Sequence, residues 1–92
     1  MAVLAISYDL HRETGRDYKI LIEAIKATGK WCHPVESTWF VVSPLTPHEM
    51  HVYLEDFSHA RDKIIINLIG RHSWWSQQLP KDVLVWLHDI LN

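Results

Sequence analysis

The first third of the chain shows one apolar run typical of a buried strand and one spacing typical of an amphipathic helix. Residues Val3–Tyr8 are apolar at nearly every position, which predicts a strand that is buried on both faces. Between Asp17, the expected N-cap, and Gly29, the expected stop, apolar residues recur at helical spacing: Tyr18, Leu21, Ile22 and Ile25. The pattern therefore predicts a strand followed by a helix.

The middle of the chain predicts a hairpin and a second helix. Pro34 and the Glu36-Ser37 step argue against one long strand, so we expect two strands, Trp31–Val35 and Thr38–Val42. The sequence Thr46-Pro47-His48-Glu49 is a capping box with proline at the first helical position. The apolar positions after it again have helical spacing: Met50, Tyr53, Leu54 and Phe57.

The last third predicts a strand, a loop and a helix. Lys63–Gly70 contains three consecutive isoleucines and predicts a β-branched, buried strand that ends at Gly70. Arg71–Leu79 is an aromatic and polar loop, and Pro80 begins a helix with one apolar face: Val83, Leu84, Leu87, Ile90 and Leu91. The order β-α-β-β-α-β predicts an α+β, ferredoxin-like sandwich over residues 1–70. We expect a single domain, with the loop and C-terminal helix of residues 71–92 added to this core.

Composition narrows the possible partners and location. The chain has 92 residues, and its five tryptophans provide more aromatic surface than a small monomer easily hides, which favours a homo-oligomer. A formal charge of −2 argues against a general nucleic-acid coat protein but leaves room for a local basic patch. The single cysteine, Cys32, cannot form an internal disulfide. No signal peptide or membrane span is indicated, so we expect a cytoplasmic protein.

Asp9 is the first candidate for chemistry, because it directly follows the buried strand. A carboxylate at such a position suits a hard cation such as Mg²⁺, although on position alone a turn or capping role is the commoner one for an aspartate there. His11 is the histidine best placed for acid–base work beside it, and Ser37 supplies a hydroxyl on the hairpin. No Ser/His/Asp order or glycine elbow accompanies Ser37.

The other reactive side chains have simpler interpretations. Cys32 is expected to be a buried, inert thiol, and no histidine pair has zinc-motif spacing. Trp74 and Trp75 either stack on bases or a partner chain, or close the core under the last helix. A basic rim is the last candidate feature, and its members would be Arg12, Arg16, Lys30 and Arg71.

Two short motifs carry a resemblance to a known family. The segment Val3–Leu10, with sequence VLAISYDL, and the segment Glu36–Phe40, with sequence ESTWF, resemble the small CRISPR-associated Cas-two proteins. The related virulence-associated protein D ribonucleases and the Cas-two-like proteins labelled "SinR family" share this likeness. The resemblance covers roughly Met1–Gly70. The predicted C-terminal helix departs from the family, which usually ends in a strand that pairs with the partner subunit, and the family's basic character is missing.

The resemblance implies a ferredoxin-like homodimer whose subunits pair face to face. Strand-end aspartates then approach each other and hold a divalent metal in the members that cleave nucleic acid. On this chain the matching metal position is Asp9, and the matching hairpin hydroxyl is Ser37. Two hypotheses follow: a Mg²⁺-dependent endonuclease acting on RNA or DNA, and a non-catalytic module that binds protein or nucleic acid through Trp74, Trp75 and the last helix.

Overall fold

A computed structural model describes residues 1–10 and 15–91, except for the side chains of residues 15–17. Its helices and strands follow the expected α+β order. The elements are β1 (Ala2–Asp9), α1 (Gly15–Lys26), β2 (Trp31–Val35), β3 (Thr38–Ser43), α2 (Pro47–Leu54), a 3₁₀ turn (Glu55–Phe57), β4 (Lys63–Ile69) and α3 (Lys81–Leu91).

The strands form one antiparallel sheet in the order β2-β3-β1-β4. β1 lies between β3 and β4, with Ile6 opposite Trp39 on one side and Ile66 on the other. A four-stranded antiparallel sheet with three helices is compatible with a ferredoxin-like fold.

The central position of β1 explains its apolar sequence. Successive side chains of a strand point to opposite faces, and over residues 3–6 both faces are covered. Leu4 and Ile6 are fully buried on one face, while Val3 and Ala5 are buried on the other. The prediction of a strand buried on both faces is therefore confirmed.

Each face of the sheet has its own hydrophobic cluster. Leu4, Ile6 and Trp39 pack with residues of α1 and α2. Val3, Phe40 and Val42, which alternate with the first set along β1 and β3, pack with α3. The helices α1 and α2 therefore lie on one face, and α3 lies on the opposite face.

α3 covers only half of its face. The sheet residues in its cluster lie near Val3, at the beginning of β1. Ser7 and Asp9, toward the end of β1, are half-buried and exposed, and Ile65 opposite Ser7 is 65% exposed. We call this uncovered region, which holds Ser7, Asp9, Thr38, Lys63 and Ile65, the open half-face.

The capping box at α2 is confirmed. The Thr46 hydroxyl accepts a hydrogen bond from the Glu49 backbone N–H at 3.1 Å, and the Thr46 backbone N–H donates to Glu49 Oε1 at 2.9 Å. The bond from Thr46 holds the pKa of the Glu49 carboxyl below its usual value.

The expectation that Lys63–Gly70 forms a buried strand is wrong. β4 has the predicted position, but none of its residues is fully buried. Among the described strands, β4 lies at the edge of the sheet and pairs with β1 alone, and Ile65 projects from the open half-face. Three consecutive isoleucines predict a strand, yet they do not determine whether that strand is central or at the edge.

The beginning of α1 also differs from the prediction. The helix begins at Gly15, two residues before Asp17, the expected N-cap. The side chain of Asp17 lies outside the described part of the chain, as do all of residues 11–14.

Candidate functional site

The hairpin turn between β2 and β3 lies against the end of β1. The Tyr8 backbone N–H donates a hydrogen bond to the Ser37 carbonyl oxygen at 3.0 Å. The structure therefore brings Ser37 and Asp9, both predicted as site residues, to the same end of the sheet. On the other side of β1, Asp9 is opposite Lys63 of β4.

Ser37 has a structural role in this turn that the sequence does not reveal. Its φ angle is 61°, in the left-handed region that residues other than glycine rarely adopt. The turn is short, because Val35 and Thr38 on either side of it are paired in the ladder. Ser37 therefore closes the hairpin and joins it to β1, whatever its hydroxyl does.

Asp9 is exposed and lines a shallow depression with Ser7, Lys63 and Ile65. Among the side chains that the structure describes, no three His, Cys, Asp or Glu residues come together as a metal site would require. One chain thus offers Mg²⁺ a single carboxylate at this end, and a complete site would need further ligands, such as Asp9 of a second copy.

The side chains of three candidate residues lie outside the described part of the chain. His11, the expected acid–base partner of Asp9, and Arg12 of the expected basic rim lie outside the described residues. Arg16 lies in α1, but its side chain is also outside the description. The roles assigned to these three side chains stay predictions.

The surface beside Asp9 continues across the open half-face through a pair of hydroxyls. Ser7 Oγ and Thr38 Oγ1 are hydrogen-bonded at 3.0 Å. Ser7 lines the depression that contains Asp9, whereas Thr38 lines a groove that contains Trp75. The two candidate regions are therefore neighbours on one face of the sheet.

The two adjacent tryptophans have different environments. Trp74 packs into the cluster beneath α3, with its ring centroid 5.4 Å from that of His88. The side chain of Trp75, in contrast, is 96% exposed. Both alternatives left open by the sequence are thus present, because Trp74 helps to close the core and Trp75 is available to a partner.

Trp75 stands between two depressions of the surface. On one side lies a depression lined by His72, Trp74, Trp75, Ser76, Leu84 and His88. On the other side lies a groove of about 260 Å³, which we call the Trp75 groove; it is lined by Pro34, Val35, Thr38, Phe40, Trp74, Trp75, Ser76, Gln77, Leu79 and Leu87. None of the residues that line the Trp75 groove is charged.

Trp74 carries an unsatisfied polar group inside this region. Its Nε1–H is buried and has no hydrogen-bond partner among the described residues. An unpaired buried donor is uncommon in proteins and costs roughly 1–3 kcal/mol. A partner that offered an acceptor to this N–H would remove that cost.

A second aromatic cluster, at the β2 edge, was missed by the sequence reasoning. Trp39 Nε1 donates to the Tyr8 hydroxyl at 2.9 Å, and the His33 ring stacks on Trp39 with centroids 3.9 Å apart. Trp31 meets Trp39 edge-on, and the Lys26 ammonium lies over both indole rings. The signal was present in the alternation of Trp31 and His33 along one strand, which places both on the same face.

Two further side chains, those of Cys32 and His51, have structural environments. Cys32 is buried, as expected, and burial raises the pKa of its thiol to about 11, with a smaller contribution from the negative charge of Asp82. His51, on the exposed side of α2, has its Nδ1 3.4 Å from Glu55 Oε1. Neither arrangement resembles a nucleophile or a metal ligand set.

Comparison with known proteins adds no assignment. Neither the protein-family models, nor the curated proteins, nor the solved structures include a match to this chain. Within residues 1–10 and 15–91, none of the helices combines the length and the apolar character that crossing a bilayer requires.

Proposed function

We propose that this chain is a non-catalytic interaction module that binds an apolar segment of a protein partner in the Trp75 groove. The observation that supports this proposal is the nearly complete exposure of Trp75 beside a groove without charged residues. Apolar pockets with a few neutral polar groups are the usual binding sites for apolar side chains.

The energetics of Trp75 favour binding over a structural role. An indole ring that is left in water contributes almost nothing to the stability of its own chain. The same ring, once covered by a partner, buries a large apolar area and is a frequent centre of binding energy. The location of Trp75 between two depressions allows a partner to contact both faces of the ring.

The chemistry of the groove favours a protein partner over a nucleic acid. Binding of a phosphodiester backbone depends on Lys and Arg side chains. The Trp75 groove has none, and its polar members are neutral: Thr38, Ser76 and Gln77. These groups suit the backbone amides and apolar side chains of a polypeptide.

Peptide selection tests this proposal directly. A phage-displayed random peptide library is panned on the purified chain, and a selected peptide is synthesised and titrated by calorimetry. We expect apolar peptides whose binding to the Trp75→Ala variant is weaker by about 30-fold or more, which corresponds to roughly 2 kcal/mol. Val85→Ala is the matched control, because Val85 is an exposed apolar residue on α3 outside the groove.

Two results would contradict the proposal. One is a library that yields no binding peptide, and the other is a peptide that binds the native chain and Trp75→Ala equally well. Fluorescein-labelled oligo(dT) and oligo(U) are titrated in parallel. If either oligonucleotide binds tightly and the binding depends on Trp75, the partner is a nucleic acid and not a protein.

A second candidate function is the one that the Cas-two resemblance implies. It is a homodimeric, ferredoxin-like, cytoplasmic protein that cleaves RNA or DNA with Mg²⁺ at Asp9. The exposure of Asp9 and its closeness to the turn that holds Ser37 favour this candidate. The single carboxylate and the location of α3 count against it, because α3 occupies part of the face that face-to-face pairing would use.

Cleavage assays decide this second candidate. Labelled single-stranded RNA and DNA are incubated with the native chain and MgCl₂, with EDTA as the control. Asp9→Asn is expected to abolish cleavage, and Asp56→Asn, in the 3₁₀ turn, is expected to leave it unchanged. Absence of cleavage by the native chain, or full cleavage by Asp9→Asn, would remove this candidate.

A further inference from the structure

The outer side of β4 is an unprotected sheet edge. β4 pairs with β1 along its whole length, and among the described residues no strand lies beyond it. The outward backbone N–H and C=O groups of an edge strand are therefore available to pair with another chain. Proteins normally prevent such pairing with proline, charged residues, bulges or a covering element.

β4 has almost none of these protections. It contains no proline, its pairing with β1 is regular, and its one charged residue is Lys63 at its first position. Two of its large apolar side chains are mostly exposed, Ile65 at 65% and Leu68 at 58%. The edge is therefore long, regular and apolar, which are the properties that favour pairing between strands.

We propose that β4 pairs with β4 of a second copy of this chain, antiparallel and about a two-fold axis at Ile66. The four-stranded sheets of the two copies then form one continuous sheet. This interface is separate from the Trp75 groove and does not depend on the proposed function.

Symmetry specifies the register. A two-fold axis perpendicular to the sheet keeps the α1 and α2 faces of the two copies on the same side, so residues that face each other must project from the same face of β4. An axis at Ile66 meets this condition and pairs all seven residues of the strand. It places Ile64 opposite Leu68 of the second copy, and Ile65 opposite Asn67 of the second copy.

The composition of β4 favours a second copy over an unrelated strand. On the face that α1 and α2 cover, apolar residues alternate evenly about Ile66, so Ile64 meets the exposed Leu68 of the second copy and Ile66 meets its own copy. The two Lys63 side chains lie at opposite ends of the paired strands, roughly 20 Å apart at about 3.4 Å per residue, and do not repel each other at contact.

The size of the contact determines how tight the dimer should be. A stable interface buries roughly 1,000–1,200 Å² or more, and a contact of seven paired residues is smaller than that. The proposed contact therefore belongs to the class of weak interfaces. We therefore expect a dissociation constant on the order of 10–100 µM. The dimer is observable only when the chain concentration is varied across that range.

Sedimentation velocity over about 5–500 µM chain, bracketing the Kd expected for a weak interface, tests the proposal. We expect the native mass to rise toward that of a dimer. Leu68→Lys and Ile65→Lys each place a charge on the edge and should raise the dissociation constant at least tenfold. Val85→Lys, on α3, is the matched control and should dimerise normally. Circular dichroism confirms that each variant is folded.

The outcomes separate the proposal from its alternatives. A native chain that stays monomeric at the highest concentration would overturn the proposed dimer. The β4 edge would then be available to a strand of a different protein. A dimer that survives both Leu68→Lys and Ile65→Lys also overturns the proposal, because the contact must then lie elsewhere. Trp75→Ala should dimerise like the native chain, so failure of this inference is distinguishable from failure of the proposed function.

A crosslink tests the register. Ile66→Cys in a Cys32→Ala background places one thiol near its own copy across the two-fold axis. A short bis-maleimide should link this variant as a dimer and leave Val85→Cys, in the same background, unlinked. Equal linking of the two variants, or no linking of Ile66→Cys in a sample that sediments as a dimer, would contradict pairing at Ile66.

Discussion

The two edges of the same sheet have opposite designs. β2, at one edge, is five residues long, contains Pro34, and pairs with β3 through a register shift between Cys32 and Val35. β4, at the other edge, is seven residues long, regular and without proline. The comparison shows that this chain contains the features that prevent strand pairing and uses them at only one edge.

Side chains reinforce the difference. At the β2 edge, the side chains of His33, Trp31 and Lys26 all contact the ring of Trp39, which is buried. At the β4 edge, Ile65 and Leu68 project into solvent. The aromatic residues of β2 therefore stabilise the fold itself, whereas the aliphatic residues of β4 remain available for a contact outside it.

The largest expected effect is at the β2 edge. Trp39→Ala removes the ring on which His33 stacks and leaves the buried Tyr8 hydroxyl without its donor. Removing a buried Trp typically costs about 3–5 kcal/mol. Urea unfolding should show a loss of this size, and Trp39→Phe, which keeps most of the ring, should lose less. Equal losses for the two variants would contradict a role for the stacked indole.

Two glycines next to the edge strands make a matched pair. A Cβ on Gly29, before β2, would meet the Val42 backbone carbonyl, which cannot move without disturbing β3. A Cβ on Gly70, after β4, would meet the Ser73 hydroxyl at 3.2 Å, and that side chain can rotate. Gly29→Ala should therefore cost more than about 2 kcal/mol, and Gly70→Ala less than about 1 kcal/mol, in thermal unfolding.

The Cys32 thiol makes the free energy of unfolding depend on pH in the alkaline range. Its pKa is raised from 9.0 to about 11 in the folded chain, so the unfolded chain releases this proton first. The contribution to stability is complete below pH 9 and is lost as the pH rises toward 11. Urea unfolding between these pH values should show a decline that Cys32→Ala reduces. Burial also raises the pKa of Tyr8. This adds to the decline in stability of both the native chain and the Cys32→Ala variant.

The helix that packs against β4 depends on its capping box. Thr46→Ala removes the side-chain acceptor for the Glu49 backbone N–H. The expected loss is about 1 kcal/mol in the free energy of unfolding. Thr46→Ser keeps the hydroxyl and should retain most of the stability. If Ser and Ala at this position are equally destabilising, the hydroxyl is not the group that matters.

The smallest effect is expected on the exposed face of β4. Ile65→Thr keeps a β-branched residue on a strand and removes apolar area that is already mostly in water. At a low chain concentration, its free energy of unfolding should lie within about 0.5 kcal/mol of the native value. A loss above about 1.5 kcal/mol would show that Ile65 is covered within a single copy.

Local signals explain why much of the fold could be predicted. The strand Trp31–Val35 has the predicted bounds, because Pro34 and the Glu36-Ser37 turn mark the hairpin in the sequence itself. The capping box at Thr46 is equally local, because both of its partners lie within four residues. Such features depend on neighbours along the chain and not on the tertiary arrangement.

The remaining features depend on that arrangement. β1 and β4 have similarly apolar sequences, yet only their order in the sheet makes β1 central and β4 an edge strand. In the same way, adjacency alone does not determine which of Trp74 and Trp75 packs inward. The closeness of Asp9 to Ser37 follows from pairing between residues that are far apart in sequence.

The open edge of β4 also has a consequence for solubility. The segment Ile64–Ile69 combines strong β propensity with low charge and lacks both proline and glycine, which are the properties of segments that form fibrils. In the part of the chain that the structure describes, this segment pairs with β1 on one side and with no strand on the other. A closed, two-fold pair would leave no free edge there for further copies to add to. Lys63, at the beginning of the segment, is then its one charged gatekeeper against fibril growth.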